Sequence, residues 1–508
     1  MLTVLQHGLR RLFDLTENGF NRAFGQTGNP FHQLGALSFY FFWLIIISGL
    51  YLYIFFETSA IAAYESVEYL THDQWYLGGV MRSLHRYASD AFVVTMTLHL
   101  FREFAYGRYR GFRWFSWVSG VPLLWLAFAS GIGGYWLVWD GLAQYIAVAT
   151  AEWLDWLPIF TTPMARNFLN QTYLSDRFFS LLIFLHIAIP LILLLGMWIH
   201  IQRITLARTN PSRTLAVGML CALLAVSLIR PAMSQGGPAN LDIAVSVVNL
   251  DWFYLLTFPL LDIWSAGGLW MLLGGLTLVL TVLPWLPPAK SEPVAVVDPD
   301  NCNGCRRCFA DCPFEAIVMQ PHSKRPGIEE AVVDQSLCAS CGICTGSCPA
   351  STPFRSIEDL VSGIDMPQLQ IKELRLQTKA ALKRLNGDVR ILVYGCDHAI
   401  DVGALQDSGV AALSLPCIGM LPPSFIDYAM QEGRADGIFI TGCAGGDCHF
   451  RHGNTWMEQR LHGQREPILR ARVASEQVRV FWTGLLQKKK LLQKIQNFRS
   501  RLKRIDHD

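Results

Sequence analysis

Four histidines, paired as His85 with His99 and His186 with His200, lie in two separate apolar segments with the same fourteen-residue step in each. In a helix of about 3.6 residues per turn and ~1.5 Å per residue, fourteen positions return to nearly the same face about 21 Å further along. Two such helices can clamp two stacked irons, one near each face of a membrane. The competing explanation, structural histidines packed in a bundle, is weak because an ionisable group inside a span is costly and usually functional. The pattern therefore predicts a membrane bundle that holds two hemes.

Composition agrees. Hydrophobic residues make up 52% of the 508 and charged residues 16%, with a mean hydropathy of +0.29, too apolar for a soluble protein. The apolar residues are unevenly placed: residues 1–289 read as membrane and the rest as soluble. Six spans are expected, over 34–56, 84–105, 115–138, 178–202, 213–230 and 266–287, against a hydrocarbon core of about 30 Å. The fifth is the shortest. Residues 1–33 hold no short apolar run ending in small residues, so a cleavable signal peptide is not expected. Arg10, Arg11 and Arg22 precede the first span, Arg102, Arg108, Arg110 and Arg113 follow the second, and Arg203, Arg208 and Arg213 follow the fourth. The opposite loops carry acids such as Glu57, Glu65, Glu68, Asp73, Glu152 and Asp155. By the positive-inside rule both ends face the cytoplasm of a cell whose inner membrane carries the chain, and the cysteine-rich tail meets a reducing compartment. A net charge of +2 suggests no nucleic-acid partner.

Residues 20–287 resemble the cytochrome b of quinol:cytochrome c and quinol:plastocyanin reductases. Arg82-Ser-Leu-His85 and His99-Leu-Phe-Arg102 match that family's pattern of an arginine beside each heme ligand, where a guanidinium neutralises a propionate in a poorly solvated site. Gly35, Gly49, Gly120 and Gly134 recur at fourteen-residue steps on the first and third spans, as in the family, and a missing side chain lets a flat macrocycle approach the backbone. The resemblance implies that His85 and His186 ligate the outer heme b, and His99 and His200 the inner one. Pro190, between the two histidines of the fourth span, implies a kink.

The family also implies two quinone sites. Gly134-Tyr-Trp-Leu-Val-Trp139 stands where the family has a Gly-Tyr-Val-Leu-Pro-Trp turn, and Asp251-Trp-Phe-Tyr254 where it has Pro-Glu-Trp-Tyr. Asp251, with Tyr135, Trp252 and Tyr254, is the expected outer site, its carboxylate accepting a quinol proton. Leu250 replaces the proline, aspartate the glutamate, and an extra residue separates Trp252 from Tyr254. The alternative is an interfacial aromatic loop. On the inner side Thr205 replaces the histidine of the respiratory members, leaving Arg203 and Arg22 as candidates that also satisfy the positive-inside rule.

A proline-rich stretch from Pro284 to Pro299 reads as a domain linker. After it, Cys302-x2-Cys305-x2-Cys308-x3-Cys312-Pro and Cys338-x2-Cys341-x2-Cys344-x3-Cys348-Pro are two copies of the bacterial ferredoxin run. In such domains the fourth cysteine crosses over, giving one 4Fe-4S cluster on Cys302, Cys305, Cys308 and Cys348 and another on Cys338, Cys341, Cys344 and Cys312. Zinc is the alternative metal.

Residues 389–480 show a small α/β pattern, with strands over 390–394 and 437–441 and a helix near 422–433. Cys396, Cys417, Cys443 and Cys448 punctuate it, the last two in Gly442-Cys-Ala-Gly-Gly-Asp-Cys-His449. This segment resembles the delta subunit of methyl-viologen-reducing hydrogenase, and the resemblance implies one 2Fe-2S cluster on these four cysteines. Cys396 is followed by Asp-His where the family has a second cysteine nearby. His449 and His452 read as structural, with His449 near enough to tune a ligand. Of thirteen cysteines only Cys221, in the fifth span, is left over, a small apolar filler. From Lys488 to Arg504 eight basic residues accompany Leu491, Ile495, Phe498, Leu502 and Ile505 at alternating four and three spacing, an amphipathic helix that either packs on its own domain or docks to the anionic inner leaflet or an acidic partner.

The expected architecture is thus a diheme all-α membrane bundle (1–289), a 2×4Fe-4S ferredoxin-like domain (290–360), a helical linker (361–385), a small α/β iron–sulfur domain (386–482) and a basic helix (483–508). The expected activity is quinone-linked oxidoreduction by an electron-transfer subunit. A soluble flavoprotein or iron–sulfur dehydrogenase is the expected cytoplasmic partner, with a Rieske protein and a homodimer as further expectations. The alternative is a non-catalytic anchor and relay.

Overall fold

The computed structural model describes residues 2–159, 161–168, 174–202, 207–245, 247–286, 292–355, 360–431 and 435–505. Arg203 and Thr205, considered above for an inner quinone site, lie outside them. The chain divides into two compact units. Residues 1–10 and 33–202 with those from 207 to the end of the last apolar helix form the first, and residues 11–32 with the cysteine-rich half form the second.

Among the described residues, four helical segments are long and apolar enough to cross a membrane by length and composition: Pro30–Phe55, Gly111–Val138, Asp176–Ile201 and Ala266–Trp285. The other two expected spans are helices of a different kind. Val80–Ala105 has 26 residues but carries Arg82, Arg86, Asp90, Arg102 and Glu103, and Arg213–Ile229 has only 17. Shorter helices, Ala63–His72 and Gly141–Asp155, fill connections. The Leu34–Phe55 helix packs against Val80–Ala105, and Trp114–Val138 against Asp176–Ile201. Each pair is antiparallel, so two fourteen-residue steps running in opposite directions bring matching levels together. Ser38 donates to Thr95 at 3.0 Å, Tyr40 to the Ala216 carbonyl at 3.1 Å and the Trp117 indole to the Leu280 carbonyl at 2.7 Å, which ties the helices around a core of Phe41, Phe42, Phe92 and Phe179. Cys221 is exposed on its apolar helix.

The turn expected over 134–139 is shorter than that. The Trp114–Val138 helix runs straight through Gly134, and the chain reverses at Trp139, whose φ of 52° is left-handed, and at Asp140. Asp140 caps the next helix by accepting from the Ala143 amide at 2.8 Å and holds a distant loop through the Gln235 amide at 2.7 Å.

In the second unit the ferredoxin segment is internally repeated. The short helices Arg307–Asp311 and Ile343–Ser347 carry Cys308 and Cys344 and end at Cys312 and Cys348. Left-handed backbone recurs at matching places, Gly304 and Arg306 in one run, Ser340 and Gly342 in the other. Strand Ile317–Pro321 pairs antiparallel with Glu329–Val333, and Val296–Val297 with Ile364–Asp365.

The last domain is a four-stranded parallel sheet in the order Val410–Leu415, Ile391–Cys396, Gly437–Gly442, Val478–Trp482. Side chains alternate between its faces. Leu392, Tyr394, Ile438 and Ile440 pack with Ile371, Leu374 and Leu382 of the Ile371–Arg384 helix, and Ile391, Val393 and Phe439 with Leu491, Ile495, Phe498 and Leu502 of the Lys488–Ile505 helix. The helix read as a linker therefore covers one face of the sheet, and the basic helix read as a separate element covers the other. A parallel sheet must be covered on both faces, which is why both amphipathic stretches belong to it.

Candidate functional site

All four histidine rings are met by a glycine on the facing helix. A Cβ on Gly49 would stand 3.0 Å from the His85 ring, on Gly35 3.6 Å from His99, on Gly134 3.0 Å from His186 and on Gly120 3.3 Å from His200. The imidazoles therefore lie directly against these glycines. Hydrogen bonds then orient the rings: His85 Nδ1 meets the Ile45 carbonyl at 3.0 Å, His186 Nδ1 the Ser130 carbonyl at 3.1 Å and His200 Nδ1 the Ser119 hydroxyl at 3.0 Å. A ring held through Nδ1 keeps Nε2 for a metal.

The His85 and His186 rings lie edge to face, with centres 6.3 Å apart and planes inclined at 64°. An iron bound to both, with bonds of about 2 Å and about 1.1 Å more from each nitrogen to its ring centre, needs about 6.2 Å. The pair fits a bis-histidine heme. The two arginines expected beside propionates have protein partners: Arg82 bonds Ser234 at 2.8 Å and Glu68 at 3.4 Å, and Arg102 lies 3.9 Å from Glu103.

Around Asp251 the structure gathers more than the sequence motif contained. Its Oδ2 accepts from the Tyr135 hydroxyl and, at 2.7 Å, from Arg86, while Oδ1 accepts from the Phe253 amide at 2.6 Å. Arg86 also pairs with Asp90 and lies over the Tyr135 ring at 4.9 Å. Tyr254 is buried and donates to the Ser89 carbonyl at 3.0 Å, its ring lying where a side chain on Gly131 would stand. Trp252 is 75% exposed and joins none of these groups. Sequence reasoning missed Arg86, Ser89 and Asp90. Arg86 and Asp90 were visible as an i, i+4 pair of opposite charges on an otherwise apolar helix.

The eight ferredoxin cysteines separate into two cavities. One is lined by Cys302, Cys305 and Cys308 with Cys348 from the other run, and the other by Cys338, Cys341 and Cys344 with Cys312. Burial and the neighbouring Cys348, Cys305 and Cys302 sulfurs push the Cys308 thiol up to about 12. Burial and its own three neighbours likewise push Cys344 well above the ordinary thiol range. Four thiols crowded out of water resist ionising, and a bound cation reverses that preference. Both sets fit a cluster.

The third set forms at the carboxyl ends of neighbouring strands, where open parallel sheets gather ligands. Cys396 ends its strand, Cys417 follows Leu415 by two residues and Cys443 follows Gly442 directly. The Cys396 and Cys443 sulfurs are 3.8 Å apart. Two sulfurs on one tetrahedral metal, each at about 2.3 Å, stand about 3.8 Å apart. The Cys417 and Cys448 sulfurs flank one point, for a Cβ on Gly453 would stand 2.3 Å from the first and 3.4 Å from the second. Gly453 thus backs the site. His449 stacks on His398 with ring centres 3.7 Å apart, and His452 stacks on Trp456.

Three family models match this chain. Cytochrome b/b6/petB covers residues 24–207, a 4Fe-4S dicluster domain 301–352, and the delta subunit of methyl-viologen-reducing hydrogenase 391–506. A cytochrome b6 of Mesostigma viride is 28% identical over 177 residues, 34% of this chain and 80% of that protein. A solved structure titled hyperthermophilic respiratory Complex III is 19% identical, with a TM-score of 0.38 over 50% of this chain and 74% of that one. The chain therefore carries, in this order, a cytochrome b/b6 segment, a 4Fe-4S dicluster segment and a hydrogenase-delta segment, the parts of a membrane electron-transfer protein with heme and iron–sulfur centres.

Proposed function

We propose that this chain is the membrane subunit of a quinone-linked oxidoreductase and carries electrons between quinone and a soluble redox partner. His85 with His186 and His99 with His200 hold two b hemes. Two 4Fe-4S clusters occupy the ferredoxin cavities and a 2Fe-2S cluster the site of Cys396, Cys417, Cys443 and Cys448. These groups supply one-electron chemistry; the polypeptide orients them and keeps water out. The observation that carries the reading is the separation of the twelve soluble-domain cysteines into three four-sulfur sets. Protein purified in mild detergent is expected to contain two hemes and about ten non-heme irons per chain. Zinc-like metals in place of iron, without labile sulfide, would overturn it.

Asp251 accepts the quinol proton in this reading, with Tyr135 donating a hydrogen bond to the carboxylate and Arg86 holding it in place. Asp251→Asn keeps the shape and loses the acceptor. It is expected to slow quinol-driven heme reduction by about 10²-fold or more while leaving the heme spectrum intact, as stopped-flow absorbance reads. Unchanged reduction would favour the anchor-and-relay alternative, which has one observation behind it: both Asp251 oxygens already have protein partners.

Lifting quinol electrons by about 300 mV into low-potential clusters costs roughly 7 kcal/mol per electron. Uncoupled flow therefore runs from clusters to quinone, and the reverse needs a second, high-potential acceptor for the other quinol electron. Mass spectrometry of the complex from native membranes distinguishes the two. A co-purifying Rieske protein supports quinol oxidation with electron splitting, and a flavoprotein dehydrogenase alone supports quinone reduction.

A further inference from the structure

Arg460 is fully buried, 0% exposed, yet it lies outside every cysteine motif. Its guanidinium donates to Asp311 Oδ2 at 2.6 Å, to the Ser347 hydroxyl at 2.7 Å and to the Gly419 carbonyl at 2.8 Å. Asp311 immediately precedes Cys312, which lines the second ferredoxin cavity. Ser347 immediately precedes Cys348, which lines the first. Gly419 lies two residues beyond Cys417 of the third site. One side chain thus grips a residue beside a ligand of all three sites.

The surrounding packing is built for this junction. A Cβ on Gly342 would stand 2.7 Å from the Met420 sulfur, and one on Gly346 2.3 Å from the Gly419 carbonyl and 2.9 Å from Arg460 itself. The corresponding places in the first run are Arg306 and Ala310, so only the second run has the smoothness to dock against the Cys417 loop. Charge is uneven there too. Asp311 is shared by Arg460 and by Arg465, two cations to one buried carboxylate. The surplus positive charge sits where the second ferredoxin site meets the third.

We propose that Arg460 is the electrostatic junction between the second ferredoxin site and the third, a positioning residue that stabilises an electron on the second ferredoxin site and on the Cys417 side of the third. The inference rests on the cluster assignment above. A transferred electron leaves one site oxidised by one and its neighbour reduced by one; the guanidinium stays protonated throughout, because arginine does not give up its proton in proteins. Its charge lowers the free energy of whichever neighbour holds the electron, and net charge is one of the levers that set cluster potentials.

The test is a redox titration of the full-length, detergent-purified protein followed by electron paramagnetic resonance, with iron and labile sulfide measured on each sample. Arg460→Met is expected to lower the reduced-to-oxidised ratio of the second ferredoxin and third sites about tenfold at fixed potential, which is 59 mV for one electron. Arg460→Lys, which keeps the charge, is expected to recover most of it. Unchanged potentials in Arg460→Met with clusters intact overturn the proposal, as does equal loss in the Met and Lys variants. Should Arg460→Met fail to assemble, Arg465→Gln at the partly exposed end of the same network decides the matter: a shift of the same sign supports the junction, and none overturns it. Wild-type protein without iron and sulfide would instead remove the cluster assignment.

Discussion

At the scale of single residues, the histidines are placed by what is absent opposite them. Each imidazole needs a glycine on the neighbouring helix, and the tightest of these approaches is at Gly49 and Gly134. Gly49→Leu forces the His85 ring off its Ile45 hydrogen bond, and overpacking of this kind costs about 1–3 kcal/mol. The expected result is loss of one of the two b-type hemes, read as a halved reduced-minus-oxidised absorbance with the helical circular dichroism unchanged. The same scale explains why the Asp251 neighbourhood was only half legible. Tyr135 and Asp251 stood out by resemblance to a motif, whereas Arg86 belongs to no motif and sits 165 residues from Asp251 in sequence. Trp252, which the motif included, is exposed and stands apart from that network.

At the scale of elements, alternation within each strand assigned two helices to one sheet. Phe498 of the Lys488–Ile505 helix packs on Phe439 at 5.9 Å between ring centres, and Gly437 is bare where the helix passes. Phe498→Ala removes a buried aromatic ring, a loss of about 3–5 kcal/mol. The expected outcome is a lower denaturant midpoint for bleaching of the third-site absorbance while heme absorbance keeps its own midpoint, measured on the intact chain. Coincident shifts of both signals would contradict the assignment of this helix to the sheet. The strands Val410–Leu415 and Val478–Trp482 went unread in the sequence because Ala411 and Ala412 weaken one pattern and Arg479 interrupts the other. Pairing with a neighbour decides them, and pairing is not a local property.

For the whole molecule, the metal centres and the fold of the second unit depend on one another through their thiols. Without metal, Cys308 is a neutral thiol raised from 9.0 to about 12 by burial and by its neighbours. A raised value in the folded state means that its contribution to stability is complete below pH 9 and is lost as pH climbs towards 12. A loaded cluster takes thiolates, so acid rather than base opposes it. Chelator-stripped protein is therefore expected to lose stability between pH 9 and 12 relative to loaded protein, and the loaded protein to release iron as pH falls. Thermal unfolding of both forms across that range measures the difference. A parallel pH dependence in the two forms would contradict it.

What the sequence determined by itself was everything that repeats at a short, regular interval: the fourteen-residue histidine and glycine steps, the two ferredoxin runs and the amphipathic period of Lys488–Arg504. Helical geometry and ligand wrapping act over a few residues to a few turns, so spacing alone carries them. Only the tertiary structure decided that the Ile371–Arg384 and Lys488–Ile505 helices clasp one sheet, that Arg86 reaches Asp251, and that Arg460 bonds residues within two positions of Cys312, Cys348 and Cys417. Those contacts join residues whose separation along the chain is set by the whole fold. Burying a charge such as Arg460 is tolerable only where partners from distant segments arrive together, and no local pattern announces that they will.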